Sequence, residues 1–439
     1  MNRSIQVLMN LANQSFEAVK KYPHEKMFPE LLRAKEYYSS ALQNDPTSIA
    51  AKLSLIEILT WSDDLVAAKS LCEEILSETN NFFDATLLKI FINIQMGDLK
   101  PALTDLEIMQ KINPYSSILP RLEAMCYFQS GDIPKGWIKA NDAFNYKQLK
   151  IRYPGLTPWN RENIRDKTLV LTMLDIRGGG DEVMFASILK EVIKETKKCF
   201  IETEERAYDL FVQSFPEAIV FGKGQQPWLE ANTKVDFHCW IRELTPYLYR
   251  DRCDFPKKSQ YLNLDSKNLK SWVNIIKKIK NKKYTVGICW RSLHSVGPNR
   301  PMCTSIMDWE PVFKIPNIDF INLHDLDGSE EVKTAETMFG IKIHSIDQAD
   351  LRHKFDHVAG IAKACDAVIT VPSTASILAR AVGANVFHLQ SEYTALCMDI
   401  LPWFPDQNLY TRRWDEDWSR PIQEIARDLK STLIQKKVK

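Results

Sequence analysis

Residues 169–192 read LVLTMLDIRGGGDEVMFASILKEV and decide the fold of this chain. The stretch begins with an apolar run, Leu169–Leu174, whose length suits one buried strand, and it ends with the apolar spacing of a helix. Between them lie three glycines and an aspartate: Gly178, Gly179, Gly180 and Asp181. Glycine lets the backbone approach a ligand closely, and a helix start offers unpaired N–H groups, so this order predicts an anion site. A turn that only joins strand to helix is the alternative, because one glycine-rich turn is a weak signal.

The alternation of strand and helix patterns continues along the chain. We predict further strands at 198–202, 218–221, 235–240, 284–290, 318–323, 341–346, 367–371 and 385–389. Strands that alternate with helices predict parallel sheets covered on both faces. The two runs are separated near residues 255–283, which favours two lobes over one long sheet. Ligands of such sheets bind beyond the carboxyl ends of the strands, so we expect a site in the cleft between the lobes.

The first 150 residues carry an internal period of 34 residues. Small residues repeat at this spacing: Ala34, Ala68, Ala102 and Gly136. The period resembles that of the tetratricopeptide repeat, in which a small residue lets two helices approach closely. We predict four units at about 13–46, 47–80, 81–114 and 115–148, the first with its opening helix interrupted by Pro23 and Pro29. Stacked units form a curved surface that either holds peptides or serves dimerisation and scaffolding.

Composition limits the classes of partner. The chain of 439 residues has a net charge of +1, so neither nucleic acid nor an anionic membrane surface is expected as its main partner. Its nine cysteines are scattered without a CxxC pair, which is typical of a reduced intracellular protein without a structural metal site. The N-terminus lacks the features of a signal peptide, and no apolar run approaches the ~20 residues of a membrane span. We therefore expect a cytoplasmic protein without a membrane span.

Four segments together resemble bacterial proteins that join tetratricopeptide repeats to a glycosyltransferase domain of the GT-B type. Their transferase domain is related to the heptosyltransferases and, more distantly, to the protein O-linked N-acetylglucosamine transferases. The segments are Pro158-Trp159 with the glycine stretch, VGICWRS at 286–292 with MDWEPVF, residues 355–389, and PWFP at 402–405 leading to Leu409, Arg412 and Trp418. Each motif alone is weak, but their order covers nearly the whole chain.

The resemblance implies a fold class: an N-terminal all-α repeat array followed by an α/β transferase domain of two Rossmann-like lobes. The corresponding domains are the repeats at 1–150, an acceptor-side lobe at 151–265 and a nucleotide-sugar-binding lobe at 266–405. The tail at 406–439 is expected to form a helix that packs across the lobes. The tryptophans of the tail are expected to pack across the lobes as well.

The resemblance also implies roles for residues of the cleft. Asp181 matches the aspartate that is thought to act as the base in heptosyltransferases, and an N-cap role is its alternative. Arg291 matches a basic residue that contacts the donor phosphates, and a salt bridge on the surface is its alternative. Arg300 is a weaker candidate of the same kind. Glu182, next to Asp181, is expected only to favour the helix dipole.

Further donor contacts are expected in the second lobe. Ser373 and Thr374 lie between a buried strand and a helix, where hydroxyls and N–H groups bind a diphosphate or simply cap the helix. Gln390, Ser391 and Glu392 follow the last predicted strand and are candidates for the nucleotide ribose or base. His357 and His388 are expected to be structural.

Two positions depart from the pattern of the family. Related enzymes often have an acidic residue where Pro372 stands and a histidine where Ile377 stands. The departures are compatible with a different nucleotide sugar, such as a CMP-linked acidic sugar, or with a degenerate site. The donor nucleotide (UDP, GDP, ADP or CMP) stays open.

The leading hypothesis is an inverting, metal-independent glycosyltransferase that uses a nucleotide-sugar donor and needs no cofactor. Its acceptor would be a hydroxyl of a protein recruited by the repeats, with flagellin as the analogy. Transfer to lipopolysaccharide or another surface glycan is one alternative. A non-catalytic, repeat-mediated scaffold with a degenerate transferase domain is another. A homo-oligomer is compatible with each.

Overall fold

A computed structural model describes residues 3–19, 24–79, 82–143, 153–173, 179–292, 302–325, 328–392, 403–405 and 408–435. In these ranges an N-terminal helical array precedes an α/β region with two parallel sheets, which confirms the predicted fold class. No helix of these ranges combines the length and the apolar character that a membrane crossing requires.

The helices of the array pair as the 34-residue period predicts. Their bounds are α1 Arg3–Val19, α2 His24–Asn44, α3 Ile49–Trp61, α4 Leu65–Glu78, α5 Phe83–Met96, α6 Leu99–Ile112, α7 Ile118–Ser130 and α8 Ile133–Ala143. The first pair begins ten residues earlier than predicted, and Pro29 lies inside α2 without ending it. The small residues act as expected, because a Cβ at Gly136 would lie 2.3 Å from the Phe128 ring of the preceding helix.

The first sheet has the strand order β3-β2-β1-β4. Its strands are β1 Thr168–Thr172, β2 Lys198–Thr203, β3 Ile219–Gly222 and β4 Phe237–Trp240. The helices of this lobe are α9 Gly179–Phe185, α10 Leu189–Glu195, α11 Glu205–Ser214, α12 Pro227–Glu230 and α13 Ile241–Leu248. Every residue of β1 is buried, because helices cover both faces of this parallel sheet.

The second sheet has the order β10-β9-β8-β5-β6-β7. Its strands are β5 Tyr284–Cys289, β6 Ile318–Asn322, β7 Ile343–His344, β8 Ala367–Thr370, β9 Val386–Ser391 and β10 Asn408–Arg412. Its helices are α14 Ser266–Ile279, α15 Glu310–Phe313, α16 Ser329–Phe339, α17 Phe355–Ala364, α18 Thr374–Ala381 and α19 Ser419–Gln435. Strand β10 was not predicted, because its exposed edge gives it a polar sequence without an apolar run.

The C-terminal tail differs from the expectation that its helix packs across the lobes. Helix α19 buries its apolar face in the core of the second lobe, together with β9 and β10. The segment 403–405 contacts both lobes, since the Phe404 ring lies 4.1 Å from the Arg380 guanidinium of α18. The Trp403 ring lies 5.4 Å from Tyr249 and 5.0 Å from Phe255 between centroids.

The repeat array is joined to both lobes. The indole N–H of Trp137 in α8 donates to the carbonyl of Tyr249 in the first lobe at 2.8 Å. Asp63, in the turn between α3 and α4, forms a 3.0 Å ion pair with Arg412 at the end of β10. Trp414 packs against the core of the first two repeats. One apolar core runs from the third and fourth repeats through the first lobe into the second.

Candidate active site

The carboxyl edges of the two sheets meet where α9 packs against α18. Glycines at the beginning of α9 allow this approach. A Cβ at Gly179 would lie 2.4 Å from the Phe355 ring, and a Cβ at Gly180 would lie 3.1 Å from the Thr374 hydroxyl. The amino ends of two helices, one from each lobe, therefore face one another. Because the amino end of a helix carries partial positive charge, their meeting point favours an anion.

Asp181 lies in the first turn of α9 and is not its N-cap, because the helix already begins at Gly179. The carboxylate accepts a hydrogen bond from Arg242 Nη2 at 3.1 Å, and both side chains are buried. Arg242 follows β4, and its guanidinium lies 4.8 Å from the centre of the Phe185 ring. The predicted base is therefore held in a buried ion pair at the carboxyl edge of the first sheet.

The Glu182 side chain is buried and hydrogen-bonded, which the sequence did not suggest. Its Oε1 accepts hydrogen bonds from the Thr203 hydroxyl at 3.0 Å and from the Glu204 N–H at 3.1 Å. Burial, and next the nearby charge of Glu204, raise the pKa of the Glu182 carboxyl to about 8. The expectation that Glu182 only favours the helix dipole is wrong in this respect, since its proton is held near neutral pH.

Arg291 was predicted to project into the cleft, but its side chain is held elsewhere. Its guanidinium is bound by Glu331 of α16, with Nε at 2.9 Å and Nη2 at 2.9 Å from Oε2. The indole N–H of Trp290 donates to the same carboxylate oxygen at 3.2 Å. Arg291 is only 3% exposed. The salt bridge that was its alternative is present, and it is buried rather than on the surface.

His324 adds a buried ring beside this ion pair. Its ring centroid lies 4.7 Å from that of Trp290. Burial, and next the charge of Arg291, lower the pKa of His324 to about 3, so the ring is neutral. The pattern of the sequence did not single out His324 or Glu331, because each becomes relevant only through its neighbours in space.

Ser373 is the N-cap of α18. Its hydroxyl accepts from the Ser376 N–H at 3.2 Å and donates to the Val371 carbonyl at 3.1 Å, as its capping alternative predicted. Thr374 is half-buried and faces Gly180 across the lobe interface. Of this predicted pair, Thr374 is thus the residue that lies against the first lobe.

The candidates after β9 are placed differently from the prediction. Gln390 and Ser391 belong to β9, which is followed in the sheet by β10. Gln390 donates from Nε2 to the Thr411 hydroxyl at 3.1 Å, which ties the two strands together. Glu392 is exposed, and its N–H extends the same ladder by donating to the Arg412 carbonyl at 2.9 Å. These contacts hold the sheet edge and do not gather the side chains around the glycine turn.

Of the two positions that depart from the expected pattern, Ile377 lies at the contact between the lobes. Ile377 approaches the glycine turn, because a Cβ at Gly180 would lie 3.3 Å from its Cδ1. Ile377 therefore makes an apolar contact between the lobes. Buried His388 interacts through Nδ1 with the Ser376 hydroxyl at 2.9 Å, and burial lowers its pKa well below the usual value. His388 thus has the structural role that was expected.

Two predicted residues, Gly178 and Arg300, lie outside the described residues. His353 and His357 are four residues apart, a spacing that occurs in metal sites. His353 contacts the Asp350 carboxylate, and His357 accepts a hydrogen bond from the Asp350 backbone N–H. Among the described residues no group of three histidine, cysteine, aspartate or glutamate side chains could hold a metal ion.

Arg242 was missed by sequence reasoning, although a signal for it existed. It stands two residues after the predicted strand 235–240, at the edge where ligands of parallel sheets bind. Chemically, this edge combines a buried arginine–carboxylate pair, a carboxyl that titrates near neutral pH and two helix amino ends. The arrangement can bind an anion and exchange a proton beside it.

One curated protein is similar to this chain in sequence. The protein FlbA of Caulobacter vibrioides is 25% identical over 417 residues, which cover 90% of this chain and 69% of FlbA. No model of a protein family matches the sequence.

Solved structures are similar at low identity. The ADP-heptose lipopolysaccharide heptosyltransferase II of E. coli is 13% identical, with a TM-score of 0.45, over 62% of this chain and 99% of its own. An O-GlcNAc transferase variant of Thermobaculum terrenum is 13% identical, with a TM-score of 0.34, over 99% of this chain and 92% of its own. A glycosyl transferase family 9 protein of Veillonella parvula is 12% identical, with a TM-score of 0.42, over 61% and 93% of the two chains.

Proposed function

We propose that this chain is an inverting, metal-independent glycosyltransferase that moves a sugar from a nucleotide-sugar donor to a hydroxyl. One observation carries the proposal: the amino ends of α9 and α18 meet at the carboxyl edges of two parallel sheets, with Asp181 and Glu182 in the same turn. Glycosyl transfer needs two groups that this site offers. One is an anion site for the leaving diphosphate, and the other is a carboxylate that takes the proton of the acceptor.

In this mechanism Asp181 takes the proton of the attacking hydroxyl. Its ion pair with Arg242 fixes the direction of the carboxylate lone pairs. The transition state has oxocarbenium character, as in glycoside chemistry generally. Glu182, with a pKa of about 8, is mostly protonated at neutral pH, so Asp181 rather than Glu182 takes the acceptor proton and then releases it to solvent.

The donor diphosphate is proposed to lie against the first turn of α18. Thr374 offers a hydroxyl there, and the helix offers its first N–H groups. Arg291 contributes indirectly. Because Glu331 binds the guanidinium of Arg291, the ion pair fixes the end of β5 against α16. Arg291 can reach the phosphates only if this ion pair opens. Arg300, Gln390 and Glu392 remain proposed donor contacts, the last two at a sheet edge away from the glycine turn.

The acceptor is proposed to be a protein that the repeat array recruits, with flagellin as the analogy, in the bacterial cytoplasm. The array supports this proposal, because its curved stack is built from four helix pairs that are fixed to the transferase lobes. A lipopolysaccharide or other surface glycan is the alternative acceptor for the same chemistry.

A scaffold without catalysis is the second candidate. The burial of Arg291 against Glu331 favours it, together with the presence of Pro372 and Ile377 where relatives often have polar residues. A binding protein would need the lobes only as a support for the repeats.

Thermal unfolding with UDP-, GDP-, ADP- and CMP-sugars separates these candidates. The transferase predicts that one nucleotide class raises the unfolding temperature by a few degrees, since ligand at 100 times Kd stabilises by about 2.7 kcal/mol. Asp181→Asn should keep that stabilisation and lose transfer. If none of the donors stabilises the protein, the scaffold is supported and the transferase is rejected.

A further inference from the structure

A segment of high positive charge lies on the second lobe, away from the site. Residues 266–283 contain seven lysines and no acidic residue, whereas the whole chain has a net charge of only +1. The lysines are Lys267, Lys270, Lys277, Lys278, Lys280, Lys282 and Lys283, which we call the lysine face. The neutral composition of the chain therefore conceals a local charge of +7, balanced by acidic residues elsewhere.

Helix α14 presents its part of the lysine face to solvent. Lys267, Lys270, Lys277 and Lys278 are exposed and lie on one side of the helix, with Ser271 and Asn274 between them. The opposite side is anchored in the fold, because Trp272 and Ile276 are buried. Close packing fixes this side, since a Cβ at Gly360 of α17 would lie 2.3 Å from the Trp272 ring.

The lysine face is not neutralised by the fold. In the described part of the chain, none of its seven ammonium groups forms an ion pair with a carboxylate, although ion pairs are frequent elsewhere on the surface. The carboxylate of Asp319 contacts the loop between α14 and β5. It accepts hydrogen bonds from the backbone N–H groups of Asn281 and Lys282, both at 2.6 Å. This contact fixes the backbone of the loop, while Lys280 Nζ donates to the Lys283 carbonyl at 3.3 Å and the Lys283 ammonium lies 5.0 Å from the centre of the Tyr284 ring.

We propose that the lysine face binds an anionic bilayer surface. Clusters of four to eight basic residues on an amphipathic helix are typical of binding to anionic lipid headgroups, each residue adding to the attraction. The residues present favour a bilayer over other polyanions. The segment has no arginine for bidentate phosphate contacts and no exposed tryptophan or phenylalanine for base stacking. Protein interfaces also prefer arginine and aromatic anchors and are depleted in lysine.

The position of the lysine face orients the protein. Lys280, Lys282 and Lys283 precede β5, so they lie at the amino edge of the second sheet. The candidate site lies at the opposite, carboxyl edge. Since the apolar side of α14 is used by the core, nothing inserts into the bilayer, and binding is electrostatic and sensitive to salt. The protein would be held at the surface with its cleft directed toward water.

Co-sedimentation of the full chain with lipid vesicles tests this proposal. Vesicles of phosphatidylcholine alone are compared with vesicles that also contain phosphatidylglycerol, at low and high salt. Binding is expected only with phosphatidylglycerol and at low salt. The variant Lys270→Gln, Lys277→Gln, Lys278→Gln, Lys282→Gln should lower the apparent affinity by about tenfold or more, as expected for four lysines near an anionic surface.

A matched control separates position from total charge. Lys100→Gln, Lys111→Gln, Lys190→Gln, Lys194→Gln removes the same charge from exposed sites elsewhere and should bind like the unaltered protein. The unfolding temperatures of both variants are measured, and equal values show that both keep the fold. The proposal is overturned if anionic vesicles do not retain the protein, if both variants lose binding equally, or if neither does. It is also overturned if a single-stranded oligonucleotide binds the lysine face and the vesicles do not.

Discussion

Asp181 and Arg242 form a buried ion pair that joins the first turn of α9 to the residues after β4. Removing either partner leaves a buried charge without its main counterion, and we expect each of Asp181→Asn and Arg242→Gln to lower the free energy of unfolding by about 3–5 kcal/mol. The double variant should be more stable than the sum of the single losses predicts. Urea unfolding measures this coupling.

The same variants separate structure from catalysis. If Asp181 is the base, Asp181→Asn and the double variant should both lose at least about 100-fold in kcat, whereas Arg242→Gln should lose less. Equal kcat losses in the two single variants would leave Asp181 with a structural role only.

Glu182 gives the protein a pH-dependent stability. The carboxyl titrates near pH 8 in the folded chain, against a usual pKa of 4.5. Between these values the folded state binds the proton more tightly, so the contribution of Glu182 to stability is fully present below pH 4.5 and is lost as pH rises toward 8. Glu182→Gln keeps the acceptor oxygen and should be more stable than the unaltered protein at pH 8 by a few kcal/mol, on the order that such a shift implies.

Urea unfolding between pH 5 and pH 8.5 checks this prediction, with exposed Glu205→Gln as the control. Parallel pH profiles for Glu182→Gln and the unaltered protein would contradict the raised pKa.

The glycines of the turn have unequal importance. A Cβ at Gly179 would overlap the Glu204 carboxylate and the Phe355 ring, whereas a Cβ at Gly180 would meet the Thr374 hydroxyl at 3.1 Å. We expect Gly179→Ala to cost about 1–3 kcal/mol of overpacking and Gly180→Ala to cost less. Differential scanning calorimetry of the two variants measures the order, and the reverse order would mean that the lobes separate at this point.

Arg291 and Glu331 offer a test of the donor contacts. Glu331→Gln should lower the unfolding temperature and, by freeing the guanidinium, should not weaken donor binding. Arg291→Lys loses the bidentate geometry and should lower the unfolding temperature to a similar extent. Isothermal titration with the stabilising nucleotide decides the role of Arg291. A large loss of affinity in Arg291→Lys alone would show that the guanidinium contacts the phosphates directly.

The contact of Asp63 with Arg412 links the second repeat to the second lobe. Because the array also shares a core with the first lobe, we expect one cooperative thermal transition for the whole chain. Asp63→Asn should shift it downward by a few degrees, while exposed Asp84→Asn should not. Two separate transitions in calorimetry would contradict the shared core.

The elements were largely predictable from the sequence, because the helical period of the repeats and the apolar runs of buried parallel strands are local signals. Strand β10 was not, since an edge strand such as Asn408–Arg412 needs no apolar run. The partners of the site were not predictable either. Arg242 is 61 residues from Asp181 and Glu331 is 40 residues from Arg291, and only the sheet order brings them together. The position of α19 was not predictable for the same reason, because its packing against β9 and β10 depends on the order of the strands in the sheet.

Trp403 has a consequence for the way the chain is made. The core of the first lobe includes this ring beside Tyr249 and Phe255, yet the ribosome adds it only after nearly all of the second lobe. At ~5–20 residues per second, the first lobe waits on the order of ten seconds with an apolar surface open to water. A nascent chain that ends before residue 403 should therefore be a substrate for chaperones, and the folding of both lobes should be completed together only after this residue has been added.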